Sequence, residues 1–115
     1  MQAVNVDRDD PLSLHDQVAA QLRRAIADGE ATAGERLPPA RDLAAVLGVN
    51  TNTVLRALRI LRDEGLLDFK RGRGVTVAGT ASRSAVVSRA HDLLAFARQH
   101  GYRRDELVDM IHNLP

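Results

Sequence analysis

The sequence predicts a mainly α-helical fold with one small β-hairpin. Apolar residues recur at intervals of three and four positions in five separate stretches, which is the pattern of amphipathic helices. Two short stretches of alternating apolar and polar residues flank a turn that contains two glycines, and this pattern indicates a hairpin. The 115 residues suffice for one domain, or for one domain with a short appendage.

The first helix is predicted over residues 14–28, after an irregular lead of residues 1–13. Ser13 is the predicted N-cap, because its hydroxyl can accept from a free backbone N–H of the first turn. The apolar residues follow a four-residue spacing: Leu14, Val18, Leu22 and Ile26. Arg23 and Arg24 lie in the last turns, where we expect them to complement the helix dipole.

Two further helices are predicted on either side of a tight turn. One runs from Ala40 to about Leu47 and ends at Gly48. The other is capped by Asn50 and runs to about Glu64. Four apolar residues are predicted to form the buried face of this helix: Val54, Ala57, Leu58 and Leu61.

The predicted hairpin consists of strands 66–70 and 75–77 with residues 71–74 as its tip. Before the second helix, residues 36–37 are predicted to be extended, because two prolines follow them. After the hairpin, residues 79–82 are predicted to be a linker. Two more helices are then predicted, over residues 84–100 and 102–114.

Two helices around a tight turn, followed at once by a hairpin, form the pattern of a winged helix-turn-helix module. In such a module the second helix of the pair lies in the major groove of DNA, with its first residues toward the base edges. The candidate base-reading residues are short and polar, with one arginine a turn later: Asn50, Thr51, Asn52, Thr53 and Arg56. The hairpin tip adds Arg71, Gly72 and Arg73, a small cationic wing that suits a phosphate backbone or a narrow minor groove.

The charge distribution agrees with this interpretation, although the net charge is only +1. Residues 1–35 carry three basic and seven acidic side chains, whereas residues 36–74 carry eight basic and four acidic ones. The predicted reading helix and wing therefore lie in the most positive part of the chain. We expect non-specific DNA affinity to be modest and strongly dependent on salt.

The same residues exclude several other classes of function. The chain has no cysteine, which excludes disulfides, zinc–thiolate sites and thiol nucleophiles, and no catalytic motif is present. The four histidines form no closely spaced pair, so no metal site or other cofactor is expected. No apolar stretch is long enough to span a membrane and the first residues are acidic, so we expect a cytoplasmic protein. Because no catalytic motif is present, we expect that the protein is not an enzyme.

Over residues 14–77 the chain resembles the winged-helix domain of the GntR family of bacterial transcription regulators. Several segments carry the resemblance, in matching order and spacing: Leu22–Ile26, Gly34–Pro38, Arg41–Ala44, Leu47–Asn50, Thr53–Val54, Ala57–Leu61, Glu64–Leu66 and Arg71–Gly74. The start of the third helix, Val49–Val54, and the two short helices after the wing are most similar to the YtrA-like branch of the family. The resemblance implies DNA contacts at Arg41, at the polar start of the third helix and at the wing. Leu55 departs from the family pattern, in which arginine or glutamine is common at that position.

The resemblance also implies a division of the chain into a lead (1–13), a DNA-binding domain (14–78) and a helical dimerisation appendage (84–115). Four apolar residues are the candidate dimer contacts: Val87, Leu94, Leu107 and Ile111. The expected function is a homodimeric regulator of a palindromic operator on double-stranded DNA, with repression as the default and a transporter operon as the implied target. A small-molecule effector stays open. The alternative is a winged-helix module that binds proteins and does not recognise a specific DNA sequence.

Overall fold

The computed structural model describes residues 13–115 and contains five helices and one two-stranded antiparallel sheet within that range. The predicted fold class is therefore confirmed. Residues 1–12 of the predicted lead lie outside the described part of the chain. The elements in chain order are α1 (Leu14–Ala27), α2 (Ala40–Leu47), α3 (Thr51–Asp63), β1 (Leu67–Lys70), β2 (Gly74–Val77), α4 (Ala81–Gln99) and α5 (Arg104–His112).

Helix α1 begins where the sequence predicts, because the hydroxyl of Ser13 accepts from the backbone N–H of Asp16 at 3.2 Å. Its apolar face packs on α3 and contributes Val18, Leu22 and Ile26 to the core. The predicted buried face of α3 is confirmed, since all four residues are buried: Val54, Ala57, Leu58 and Leu61. One core thus joins α1, α2, α3 and the hairpin.

The turn between α2 and α3 depends on Gly48. This residue has φ 67° and ψ 33°, a left-handed conformation that costs a residue with a side chain about 1–2 kcal/mol. Its backbone N–H bonds the carbonyl of Ala44 and closes the end of α2. Val49 then packs against the core, and only three residues separate the end of α2 from the start of α3.

The hairpin pairs Leu67 with Val77 and Lys70 with Gly74. The extended segment predicted at residues 36–37 adds a short third edge, because Arg36 forms a bridge opposite Thr76 and the N–H of Leu37 bonds the carbonyl of Val75 at 2.8 Å. This edge fixes the wing to the loop that precedes α2.

Helix α4 begins at Ala81, three residues earlier than predicted. The hydroxyl of Thr80 accepts from the N–H of Arg83 at 3.1 Å and caps the helix, so the second half of the predicted linker is helical. The first half of α4 packs along α1, where Val87 contacts the core. The linker prediction was wrong because the capping threonine lies among glycine, alanine and serine, a composition typical of flexible loops.

Glu64, at the end of α3, connects three helices. Its carboxylate accepts two hydrogen bonds from the guanidinium of Arg23 in α1, at 2.8 and 2.9 Å, and a third from the ring of His91 in α4. Its backbone carbonyl accepts from the guanidinium of Arg83 at 3.2 and 3.0 Å. The hydroxyl of Ser84, also in α4, donates to the carbonyl of Arg23. Helix α4 is therefore held on the core by polar contacts as well as by apolar packing.

Candidate nucleic-acid interface

The first turn of α3 presents polar side chains to solvent. Thr51, Asn52 and Arg56 are exposed, and Thr53 is half-buried. No acidic residue lies in this turn, so a phosphate or a base edge meets no like charge from the helix itself. The N-terminal end of α3 also carries the positive end of the helix dipole, which favours an approaching phosphate.

The side chain of Asn50 has a structural role in addition to its predicted role in base reading. Its side-chain oxygen accepts from the backbone N–H of Asn52 at 2.8 Å and caps α3. The oxygen is therefore engaged, and only the amide NH₂ of Asn50 is available to DNA. Bidentate recognition of adenine needs both groups of the amide, so Asn52 is better suited to that role than Asn50.

Arg41 lies in the first turn of α2 with its side chain 84% exposed. Its nearest acidic group is Asp42, whose carboxylate is 3.9 Å from the guanidinium, in a solvated pair that is worth little. The guanidinium is therefore available for a phosphate contact beside the N-terminus of α2.

The tip of the wing is closed by a hydrogen bond from the N–H of Arg73 to the carbonyl of Lys70 at 2.9 Å. Gly72 adopts φ 78° in this turn, a conformation that side chains disfavour. Arg71 and Arg73 are exposed on either side of Gly72. The wing therefore presents two guanidinium groups around a backbone without side-chain bulk.

A groove of about 500 Å³ lies between the start of α2, the middle of α3 and the wing. Its floor is apolar and includes Leu55 and Phe69, while Arg36, Lys70 and Arg71 lie at its margins. Of the candidate DNA contacts only Arg71 lines this groove, which joins the start of α2 and the middle of α3 to the wing. The guanidinium of Arg62 stacks on the ring of Phe69, 5.0 Å from its centre.

The groove explains Leu55, the position that departs from the family pattern. Its side chain is half-buried beside Phe69, which makes it part of the groove floor. Arg36 and Lys70 belong to the same surface and were not among the sequence candidates. The two prolines after Arg36 predicted an extended segment, and the bridge of this segment to β2 places it beside the wing.

The four candidate dimer contacts differ in their surroundings. Val87 packs against the core of its own chain, and Leu94 and Leu107 are half-buried, whereas Ile111 is 50% exposed. Seven further large apolar side chains of α4, α5 and the segments beside them are exposed: Val86, Leu93, Phe96, Tyr102, Val108, Met110 and Leu114. Helix α5 buries none of its nine residues within the chain.

Within residues 13–115 no group of three histidine, aspartate or glutamate side chains is placed to hold a metal ion. His91 bonds Glu64, and His100 stacks on Phe96 with ring centres 4.6 Å apart. None of the helices in this part of the chain is both long enough and apolar enough to cross a membrane.

The helix-turn-helix pair, the wing and their spacing match one protein family. Residues 14–77 match the family of bacterial regulatory proteins named for gntR, which is more than half of the chain. The chain belongs to the GntR family. Members of this family are transcription regulators rather than enzymes, which agrees with the prediction that the chain is not an enzyme.

The predicted likeness to the YtrA-like branch of the GntR family is also confirmed. The transcriptional repressor YtrA of Bacillus subtilis is 29% identical over 83 residues, which are 72% of this chain and 64% of that protein. The solved structure of YtrA from Sulfolobus acidocaldarius has a TM-score of 0.65 at 32% identity, over 82% of this chain and 99% of that one. The chain spans 17–64% of the length of the first curated relatives that it matches.

A third comparison concerns the DNA-binding domain of AraR, solved in complex with an operator. It has a TM-score of 0.58 at 26% identity and covers 68% of this chain and 100% of that one. The residues that form α1, α2, α3 and the wing are thus a winged helix-turn-helix domain of a DNA-binding family.

Proposed function

We propose that this protein is a sequence-specific DNA-binding repressor that acts as a homodimer on a palindromic operator. The observation that carries the proposal is the exposure of polar or cationic side chains at three places of the winged helix-turn-helix domain: Arg41 in α2, the start of α3 and the tip of the wing. Helix α3 enters the major groove, where Asn52 and Arg56 contact base edges. Arg41, Arg71 and Arg73 contact the phosphate backbone and set the register.

The division of labour follows from the chemistry of each side chain. The exposed amide of Asn52 has both a donor and an acceptor, so it can distinguish adenine from other bases. Arg41 lies beside a helix N-terminus and neutralises a phosphate, which adds affinity without sequence preference. Thr51 and Thr53 supply hydroxyls for phosphates or methyl groups for thymine.

The homodimer is supported by the apolar surface of α4 and α5. Val86 and Leu93 lie two turns apart on one side of α4, and Phe96 lies one turn further with 59% of its surface exposed. Val108 and Ile111 add a second exposed pair on α5, a helix that buries no residue in its own chain. Clusters of exposed apolar side chains on a small protein mark interaction surfaces, and a second copy of the chain presents the same cluster in return.

A dimer also matches the way in which winged helices read DNA. One reading helix contacts only a few base pairs, whereas two helices about 34 Å apart contact two half-sites on the same side of the duplex. Occupancy of such a site within a promoter blocks transcription, so repression is the simplest outcome. The likeness to the YtrA-like branch favours a transporter operon as the target, and the site of action is the bacterial cytoplasm, where the chromosome lies.

The test is selection from a random double-stranded DNA library with the purified protein, followed by sequencing of the bound fraction. We expect an enriched motif with two inverted half-sites one helical turn apart. Sedimentation of the protein with and without the selected site measures whether two copies bind each duplex. An unenriched library, or an enriched motif bound by one copy, would contradict the proposal.

A further inference from the structure

A second cleft lies between α1, α3, α4 and α5. It has a volume of about 360 Å³, which falls within the usual range of small-molecule sites. Its walls come both from the DNA-binding domain, through Ala20 and Ile60, and from the appendage, through Leu94 and Ala95. A ligand in this cleft would therefore contact both parts of the chain.

The cleft concentrates arginines that have no ion-pair partner within residues 13–115. Arg24, Arg98 and Arg104 line it, and none of the three forms a salt bridge in the described part of the chain. The fourth arginine, Arg23, is paired with Glu64 and is not available. Three arginines without an ion-pair partner in the described residues, one each from α1, α4 and α5, thus line one cavity.

Two carboxylates also line the cleft and define what it can hold. Asp16 accepts a hydrogen bond from the hydroxyl of Ser13, and Asp92 lies on α4. They offset part of the positive charge, so the guanidinium groups remain in excess. His91 adds a ring whose nitrogen is engaged with Glu64.

Ser88 supplies an independent observation. Its hydroxyl oxygen is buried and has no hydrogen-bond partner within residues 13–115, although it lines the same cleft. A buried hydroxyl without a partner costs about 1–3 kcal/mol, so it is rarely left unsatisfied without a reason. A polar ligand in the cleft would satisfy it.

We propose that this cleft binds a small organic anion with two or more negative charges, of the phosphate or carboxylate kind. Guanidinium groups bind both kinds of oxyanion with paired hydrogen bonds. The apolar side chains of the walls contact the carbon skeleton, and Ser88 exchanges a hydrogen bond with a ligand oxygen. The bound anion links α1 of the DNA-binding domain to α4 and α5 and so changes how firmly the appendage is held on that domain.

The binding step is tested without DNA, by calorimetric titration of the full chain with citrate, pyrophosphate and glucose 6-phosphate, and with glucose as the uncharged control. We expect at least one of the three anions to bind at about millimolar concentration or below and glucose not to bind. The pattern among the probes separates a carboxylate site from a phosphate site. Absence of heat from all three anions would overturn the proposal.

Variants show whether the binding belongs to the cleft. Arg98→Gln and Arg104→Gln should each weaken the best anion about tenfold, because each removes a charge-assisted contact. Arg89→Gln is the matched control, since Arg89 is exposed on α4 and does not line the cleft. Equal weakening by Arg89→Gln and Arg98→Gln would show an adventitious ion only and would overturn the proposal.

The variant Ser88→Ala tests whether the hydroxyl of Ser88 contacts the ligand or has only a structural role. The variant removes a hydroxyl without a partner, so the free protein should be as stable as the parent or more stable, while the anion binds more weakly. Unchanged affinity in this variant would exclude the role of Ser88 as a ligand contact. Anion binding itself does not depend on the proposed DNA binding. Only the effect of the anion on DNA binding rests on that proposal, and it is measured separately as the change in DNA affinity when the anion is added.

Discussion

Arg23 and Glu64 form a two-pronged ion pair across 41 positions of the sequence, with nitrogen–oxygen distances of 2.8 and 2.9 Å. Arg23 is only 4% exposed, and the same carboxylate also bonds His91. The pair joins α1 to the end of α3 and, through His91, to α4.

Glu64→Gln should destabilise the protein by about 3 kcal/mol, because it leaves the buried guanidinium of Arg23 without its counter-charge. Asp63→Asn is the matched control, since its ion pair with Arg62 is solvent-exposed and should cost less than about 1 kcal/mol. Urea unfolding of both variants measures the difference. Equal free energies of unfolding would contradict the structural role of the buried pair.

Gly48→Val should destabilise the protein by about 1–2 kcal/mol for conformational reasons alone. An added Cβ at this position meets no atom within 4 Å, so no steric clash contributes. Gly48→Asn should cost less, because asparagine tolerates the left-handed conformation better than other residues. Thermal unfolding of the two variants should rank them in that order, and the reverse order would show that the turn does not require this backbone conformation.

Asn50→Ala should cost about 1 kcal/mol through loss of the helix cap, whereas Asn50→Ser should keep most of the stability. Because the oxygen of Asn50 caps α3, Asn50→Ser should also keep the sequence preference for DNA. The comparison uses unfolding experiments together with DNA affinities for the selected site. A loss of sequence preference in the stable serine variant would instead assign base reading to Asn50.

Phe96→Glu should convert the proposed dimer to a monomer, because it places a charge in the exposed apolar surface of α4. Arg59→Glu serves as a control, because Arg59 is exposed on α3 and lies outside the apolar surface of α4 and α5. Sedimentation at several protein concentrations reports the mass of each variant. A wild-type protein that sediments as a monomer at micromolar concentration would contradict the dimer itself.

Local sequence signals predicted most of the DNA-binding domain. Ser13, Gly48 and Asn50 end or begin helices through contacts within four residues, and such contacts can be read from sequence alone. The start of α4 was missed because Thr80 caps it in a segment with the composition of a loop. The helix cap at Asn50 was predicted, but its consequence for base reading became clear only from the geometry.

The contacts that escaped prediction join residues far apart in the chain. Arg23 was expected only to complement the helix dipole near the end of α1, and in the structure it is buried against Glu64. No local pattern distinguishes it from its neighbour Arg24, which is exposed. The groove beside the wing likewise combines Arg36 with Leu55 and Phe69, and only the packing of α3 against the hairpin brings these residues together.

The most direct test of sequence-specific DNA binding is a set of dissociation constants at one salt concentration. The wild type, Arg41→Gln and Asn52→Ala are each titrated with the selected site and with a shuffled duplex of the same composition. We expect the wild type to prefer the selected site by about 1,000-fold or more. Arg41→Gln should weaken both duplexes, whereas Asn52→Ala should reduce the preference by about tenfold. Equal affinity of the wild type for the selected and shuffled duplexes would contradict specific recognition by this interface.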